Sequence, residues 1–415
     1  MLDIIAICLV LTALLAYLNL RFVGLPTTIG VMVAALALSL LLVLVLVLLD
    51  TLGIAGGLRE NEASFLRSID FSSVLMQGML SLLLFADALH VELNELRAYR
   101  WQIGLLAVLG TSLSTAVVGG LMWWLLPWLG LPLELSWCLL FGALISPTDP
   151  IAVMGILKSA GAPKNLEWVI AGESLFNDGV GVVIFSLLLG MLASGTVPGL
   201  GEGATLLLHE AGGGLLFGAR LGYIGFRLLR SIDHYQVELL LTLATVMGGY
   251  ALANWLHVSG PLAMVVAGLV IGHHGRALAM SDTTRHHVDL FWELIDEILN
   301  AVLFVLIGLE VVLIRFDGGI ALVAVVAVLV TLAARALTVG LPVALGRSAF
   351  RLPPGAARVL TWGGLRGGIS VALALLLPAG PQREILVALT YCVVVFSILV
   401  QGLSIGKLVR RVVPG

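Results

Sequence analysis

An all-α polytopic membrane protein of about thirteen transmembrane helices is what this sequence predicts, on three observations. Its 415 residues are 60% hydrophobic and only 11% charged, with a mean hydropathy of +1.10, whereas a soluble domain carries roughly 25% charged residues. Its apolar runs are long and nearly unbroken, as from Val31 to Leu49, and do not alternate as barrel strands do. Its basic residues gather on alternate loops between those runs. Lipid leaves no water for backbone polar groups, so a spanning segment must be a helix or part of a closed barrel. Runs near 20 residues fit helices.

The spans fall roughly at 4–20, 27–49, 74–91, 103–128, 135–157, 167–194, 205–229, 236–256, 260–273, 291–314, 318–345, 358–378 and 384–408. With the N-terminus outside, fifteen Lys and Arg residues flank inner loops, among them Arg97, Arg100, Lys158, Arg358, Lys407 and Arg411. Only Arg59, Arg67, Arg315 and Arg383 flank outer ones. That bias orients the chain with its C-terminus in the cytoplasm, and a bacterial inner (plasma) membrane is the expected location. The first run carries Asp3 and no basic leader, so it reads as a span and not as a removed signal. Gly214, Gly218 and Gly222 form a small-residue stripe on the seventh span, suited to close helix contact. That span separates two sets of six. The expected organisation is a first repeat over 1–198, a linking helix over 199–232 and a second, inverted repeat over 233–415.

Composition also excludes partners. Net charge is −3, so no basic surface points to nucleic acid. Cys8, Cys138 and Cys392 each sit in an apolar run and read as small buried hydrophobes. No zinc or redox spacing occurs, and no cofactor is expected.

Charges at membrane depth cost at least about 2.5–3.5 kcal/mol each at a helix centre, so they mark function. In Ser146-Pro147-Thr148-Asp149-Pro150, two prolines remove backbone donors and disfavour helix before them. The fifth span should break there and free carbonyls such as that of Thr148. Asp149 can cap the amides that follow. In Gly172-Glu173-Ser174-Leu175-Phe176-Asn177-Asp178-Gly179, Glu173 and Asn177 share one helix face, and Ser174 and Asp178 share the next. Carboxylate, hydroxyl and carbonyl oxygens suit a hard cation. In the twelfth span, four glycines surround Arg366 from Gly363 to Gly368. A buried arginine needs a carboxylate, and Glu173 is the candidate, leaving Asp178 free to titrate.

These stretches carry a resemblance. SPTDP (146–150), GESLFNDG (172–179) and TWGGLRGGISVALAL (361–375) resemble the NhaP-type sodium/proton antiporters, relatives of the animal sodium/hydrogen exchangers. HVSGPLAMVVAGLVIG (257–272) and FVLIGLE (304–310) also look like the family, in order across most of the chain, while Gly367-Gly368, where many relatives have Gly-Ala, and LLLFADAL (82–89), where relatives vary in the acidic position, depart from it. The resemblance implies an NhaA-like antiporter fold with broken helices 5 and 12 crossing near the midplane, and a homodimer. It implies that Thr148, Ser174 and Asp178 hold Na⁺, with Li⁺ or K⁺ as alternatives. Glu173 then stands nearby, held by Arg366, while Asp149 and Asn177 tie the broken helix to the sixth span. Relatives with Asn-Asp at positions 177–178 tend to exchange one H⁺ per cation without net charge.

Burial favours the protonated carboxylate and a nearby cation favours the ionised one. Asp178 can therefore hold H⁺ or a metal ion, and that competition suffices for exchange. Asp282, Asp289, Glu293, Asp296 and Glu297 near the start of the tenth span read as an interfacial acidic face that could gather cations. His273, His274, His286 and His287 lie on the same side, where a pH-sensing role stands beside an ordinary interfacial one. Glu310 and Arg335 suggest a structural pair. An intramembrane protease leaves Arg366 without a role, so an enzyme is not expected. A cation channel or a sodium-coupled solute symporter remain the rival readings.

Overall fold

The computed structural model describes residues 2–24, 78–91, 93–150, 161–194, 208–275, 280–312 and 318–412, with scattered positions in 30–48, in 153–157 and at 205. Most of the second span lies outside the described residues, as do Arg59, Arg67, Lys158, Arg276 and Arg315 and the side chains of His274 and Glu310.

Among the described residues every regular element is helical. In chain order they are α1 (Leu2–Leu18), α2 (Leu80–Leu89), α3 (Arg100–Leu129), α4 (Leu135–Ile145), α5 (Lys164–Ser194), α6 (Gly213–Leu229), α7 (Tyr235–Trp255), α8 (Gly260–Val270), α9 (Asp282–Val312), α10 (Gly318–Arg335), α11 (Ala356–Trp362), α12 (Gly368–Leu375), α13 (Pro381–Phe396) and α14 (Leu403–Val412). Among the described residues, five helical stretches are long and apolar enough to cross a membrane: Arg100–Leu129, Lys164–Ser194, Tyr235–Trp255, Gly319–Leu345 and Pro381–Val412.

Helix ends follow the sequence chemistry. Ser259 caps α8 by accepting from the Leu262 N–H at 3.4 Å, ahead of Pro261 in the first turn, where a missing donor costs nothing. α4 stops at Ile145 because Pro147 and Pro150 follow, and helix resumes at the described positions 153, 154 and 157. α11 stops at Trp362, the chain runs non-helically over 363–367, and α12 starts at Gly368. α9 begins earlier than the apolar run that announces it, at Asp282 and not near 291.

Packing brings these pieces around one centre. α4 lies against α3 and α5, and α12 lies against α4, α9 and α13. α2 lies against α8 and α9. The glycine stripe of α6 does what its spacing promised. Gly214, Gly218 and Gly222 face α8 so closely that a Cβ on each would meet the backbone of Ser259, Ala263 and Ala267 respectively. Backbone cannot yield as a side-chain tip can, so overpacking of about 1–3 kcal/mol is expected.

Gly190 of α5 is the contrast, with nothing within 4 Å of a Cβ placed there. Gly218→Val should lower the thermal unfolding midpoint of the purified protein, whereas Gly190→Ala should hold or raise it by removing a mid-helix glycine worth roughly 0.8–1 kcal/mol. Equal midpoints for the two variants would refute the close α6–α8 contact.

Candidate functional site

The two interruptions meet. The Asp149 N–H, set free by the break in the fifth span, donates to the Leu365 carbonyl at 2.8 Å. Arg366 reaches back, its Nη1 donating to the carbonyls of Ser146 and Pro147 at 2.9 Å each. The Arg366 N–H donates to Ser397 Oγ at 2.8 Å. Gln401 Nε2 donates to the Trp362 carbonyl at 2.9 Å, and Arg335 Nε to the Leu360 carbonyl at 3.3 Å. Groups orphaned by two helix breaks thus find partners within protein, which the low-dielectric setting demands.

α5 supplies the next layer. Asn177 Oδ1 accepts from the Thr148 N–H at 3.2 Å, and Asn177 Nδ2 donates to Thr148 Oγ1 at 2.8 Å and to Glu173 Oε1 at 3.0 Å. The hydroxyls of Thr148 and Ser174 stand 3.0 Å apart, close enough for one to donate to the other. Glu173, Ser174, Asn177, Asp178 and Thr148 are all buried. The i,i+4 pairing of Glu173 with Asn177 therefore appears as a hydrogen bond, and Asn177 also bonds α5 to Thr148 of the broken segment.

Two expectations change. Glu173 belongs to Arg335 and not to Arg366: Arg335 Nη1 meets Oε1, and Nη2 meets Oε2 at 2.7 Å, in a two-point ion pair. The planar fork of a guanidinium matches a carboxylate in this way. Arg335 therefore does not need Glu310, the partner its sequence position suggested. The amides of residues 151 and 152 that Asp149 is expected to cap lie outside the described residues. The backbone of Asp149 joins the twelfth span at Leu365, and a Cβ on Gly367 would run into the Asp149 carboxyl group. Glycine at 367 is what lets this carboxylate approach.

A cavity opens at the crossing. Asp87, Asp149 and Asp178 line it, with Asn300, Gly367 and Ser370. Its volume is about 20 Å³, above the roughly 10–15 Å³ that one water needs. Ser370 Oγ is buried and has no hydrogen-bond partner among the described residues. Thr148, Ser174 and Glu173 sit in the hydrogen-bonded cluster beside this cavity, not in its lining. Three carboxylates thus line one small space, with oxygen-bearing side chains around them.

Asp87 and Asn300 had not been assigned to the site. Asp87 was findable, because it interrupts the apolar run of α2 as Asp178 interrupts that of α5. Asp296 was read as interfacial, yet it is buried and accepts from Asn300 Nδ2 at 2.9 Å. His287 stacks on Tyr235 at 4.4 Å between ring centres, and its Nδ1 lies 2.7 Å from the Thr283 carbonyl. No cluster of three His, Cys, Asp or Glu suited to a metal occurs among the described residues.

A double-mutant cycle on Glu173→Gln and Arg335→Gln should show strong coupling. Removing either partner leaves a buried charge and costs about 3–5 kcal/mol, and removing both costs less than the sum. Thermal unfolding in detergent reads this. Additivity of the two substitutions would show that the pair does not form.

The model of the sodium/hydrogen exchanger family, transmembrane, matches residues 10–411. The chain is 56% identical over 420 residues to the Na(+)/H(+) antiporter NhaP of Pseudomonas aeruginosa, covering 100% of this chain and 98% of that one. It is 35% identical over 359 residues to the Na(+)/H(+) antiporter NhaH of Halobacillus dabanensis, covering 85% and 87%. Its fold matches the structure of the sodium proton antiporter MjNhaP1 from Methanocaldococcus jannaschii with a TM-score of 0.76, at 19% identity, over 100% of this chain and 99% of that one.

Proposed function

We propose, from the premise that this chain belongs to the sodium/hydrogen exchanger family, that it is an integral membrane antiporter exchanging Na⁺, with Li⁺ or K⁺ as alternatives, for H⁺. The observation that carries this reading is the crossing of two interrupted helices beside a cavity lined by Asp178 and sized for a small occupant. A symporter of organic solutes would need more room, and a channel would need no competition for a proton.

The mechanism rests on exclusive occupancy. Asp178 takes either H⁺ or the cation, because each favours a different charge state of the carboxylate. Thr148, through its carbonyl, and Ser174, which stand in the hydrogen-bonded cluster beside the cavity, are the further ligands proposed with Asp178. Glu173 stands by with its charge already balanced by Arg335. Asp149, Asn177 and Arg366 hold the crossing in place. Only loaded forms change between open-in and open-out states, since a bare carboxylate resists passage through a low-dielectric barrier. One titrating acid per cycle gives one H⁺ per monovalent cation, without net charge movement.

The finer architecture belongs to the same proposal. Thirteen spans form two inverted six-helix repeats, 1–198 and 233–415, joined by the linking helix 199–232. In support, the breaks fall in the fifth helix of each six. The N-terminus lies outside, the C-terminus lies in the cytoplasm, the membrane is the bacterial inner membrane, and the chain works as a homodimer.

Proteoliposomes acidified inside and loaded with a pH-sensitive dye test the exchange. Adding NaCl should dequench the dye, and LiCl and KCl rank the cations. Asp178→Asn should insert normally yet abolish dequenching, and normal exchange by that variant would defeat the proposal. As the pH falls, H⁺ should compete and the apparent KM for Na⁺ should rise. A membrane potential generated by turnover would contradict the 1:1 exchange.

A further inference from the structure

A second cavity, a wide groove of about 730 Å³, opens away from the ion site. One wall is the helical turn Ala336–Gly340 with the short helix Leu341–Leu345 after it. The opposite wall is α14, and α11 forms the floor. Trp362 Nε1 donates to Ser404 Oγ at 2.8 Å, which fastens floor to wall.

The groove combines two chemistries. Leu341, Ala344 and Leu408 give it an apolar lining, while Arg358, Lys407 and Arg411 stand along it. Lys407 and Arg411 are four residues apart on α14 and share a face. Arg358 projects from α11. All three side chains are exposed, and none has a hydrogen bond or ion pair with a described residue. Three positive charges around one groove repel each other unless an anion lies between them. A free anion would satisfy the charges and leave the apolar lining bare. A molecule with a phosphate and long hydrocarbon chains covers both. Arg358, Lys407 and Arg411 also fall on the side that the basic-loop bias assigns to the cytoplasm, where basic pockets between helices meet anionic headgroups.

We propose that this groove is a binding site for an anionic phospholipid, with its phosphate among Arg358, Lys407 and Arg411 and an acyl chain along Leu341 and Leu408. The bound lipid packs against α11, the helix that ends just before the 363–367 segment carrying Arg366. The site rests on the chain's place in a membrane but not on which ions it exchanges.

Native mass spectrometry of the full-length protein in detergent tests it, with cardiolipin, phosphatidylglycerol or phosphatidylcholine added at equal concentration. The wild type should retain the two anionic lipids over phosphatidylcholine, and excess inorganic phosphate should not displace them. The variant Arg358→Gln/Lys407→Gln/Arg411→Gln should lose anionic lipid on the order of tenfold to a hundredfold, the size expected for three charges near an anionic surface. The control Arg227→Gln/Arg230→Gln removes exposed basic charge away from the groove and should bind as wild type. Equal retention of all three lipids, displacement by phosphate, an unaffected triple variant, or an equal loss in the control would each overturn the site. If the triple variant does not purify intact, Lys407→Gln/Arg411→Gln on the exposed face of α14 is read by the same criteria. Because the readout is lipid retention, failure here leaves the exchange reading standing, and loss of exchange in Asp178→Asn leaves this one standing.

Discussion

A helix interrupted at membrane depth must find new partners for the amides and carbonyls it has released, because each one left bare in hydrocarbon costs several kcal/mol. Everything at the centre of this protein follows from two such interruptions meeting that demand together. The break at 146–150 offers an amide to the break at 363–367, and the second break returns a guanidinium to the carbonyls of the first. Asn177 closes the remaining side by taking the Thr148 amide. The cavity is the geometric remainder: extended backbone cannot fill space as a helix does, and carboxylates of Asp87, Asp149 and Asp178 come to face what is left open.

Two arginines divide the neutralising work. Arg335 takes the one carboxylate of α5 that hydrogen-bonds to Asn177, so Glu173 is balanced where it stands. Arg366 serves backbone oxygens instead, holding the crossing in register. The sequence displays both arginines and both kinds of acceptor without saying which goes with which. A carboxylate and a pair of freed carbonyls are each good acceptors for a guanidinium. What decides is whether α10 or the 363–367 segment lies beside Glu173, and that depends on helix packing across 162 residues of chain.

Local features were legible for this reason. Two prolines around Thr148 and Asp149 break a helix wherever it packs, and residues four apart in α5 share a face in any fold. The glycine stripe of α6 likewise needed only its spacing. Features set by depth and neighbours were less accessible. Asp296 was read as interfacial because the apolar run begins near 291. The helix starts at Asp282, so Asp296 lies fourteen residues along it, about 21 Å from its start. Asp87 is a different kind of omission. It met the same criterion as Asp178, a charge inside an apolar run, but it stands alone in α2 with no polar neighbour four residues away to mark a face.

The placement of charge bears on why a single acid can carry the exchange. Glu173 already has a counter-charge and loses little by being buried. In the proposed cycle, Asp178 has the proton and the metal ion as alternative counter-charges, and each would neutralise it for the passage across the barrier. Were Glu173 unpaired, a second bare carboxylate would need its own cation or proton in every conformational change. The ion pair between α5 and α10 therefore removes Glu173 from the acids that would have to be neutralised in the proposed cycle. On this argument the proposed 1:1 stoichiometry depends on Arg335, 162 residues away from Glu173 in the chain, as well as on the Asn-Asp pair at 177 and 178.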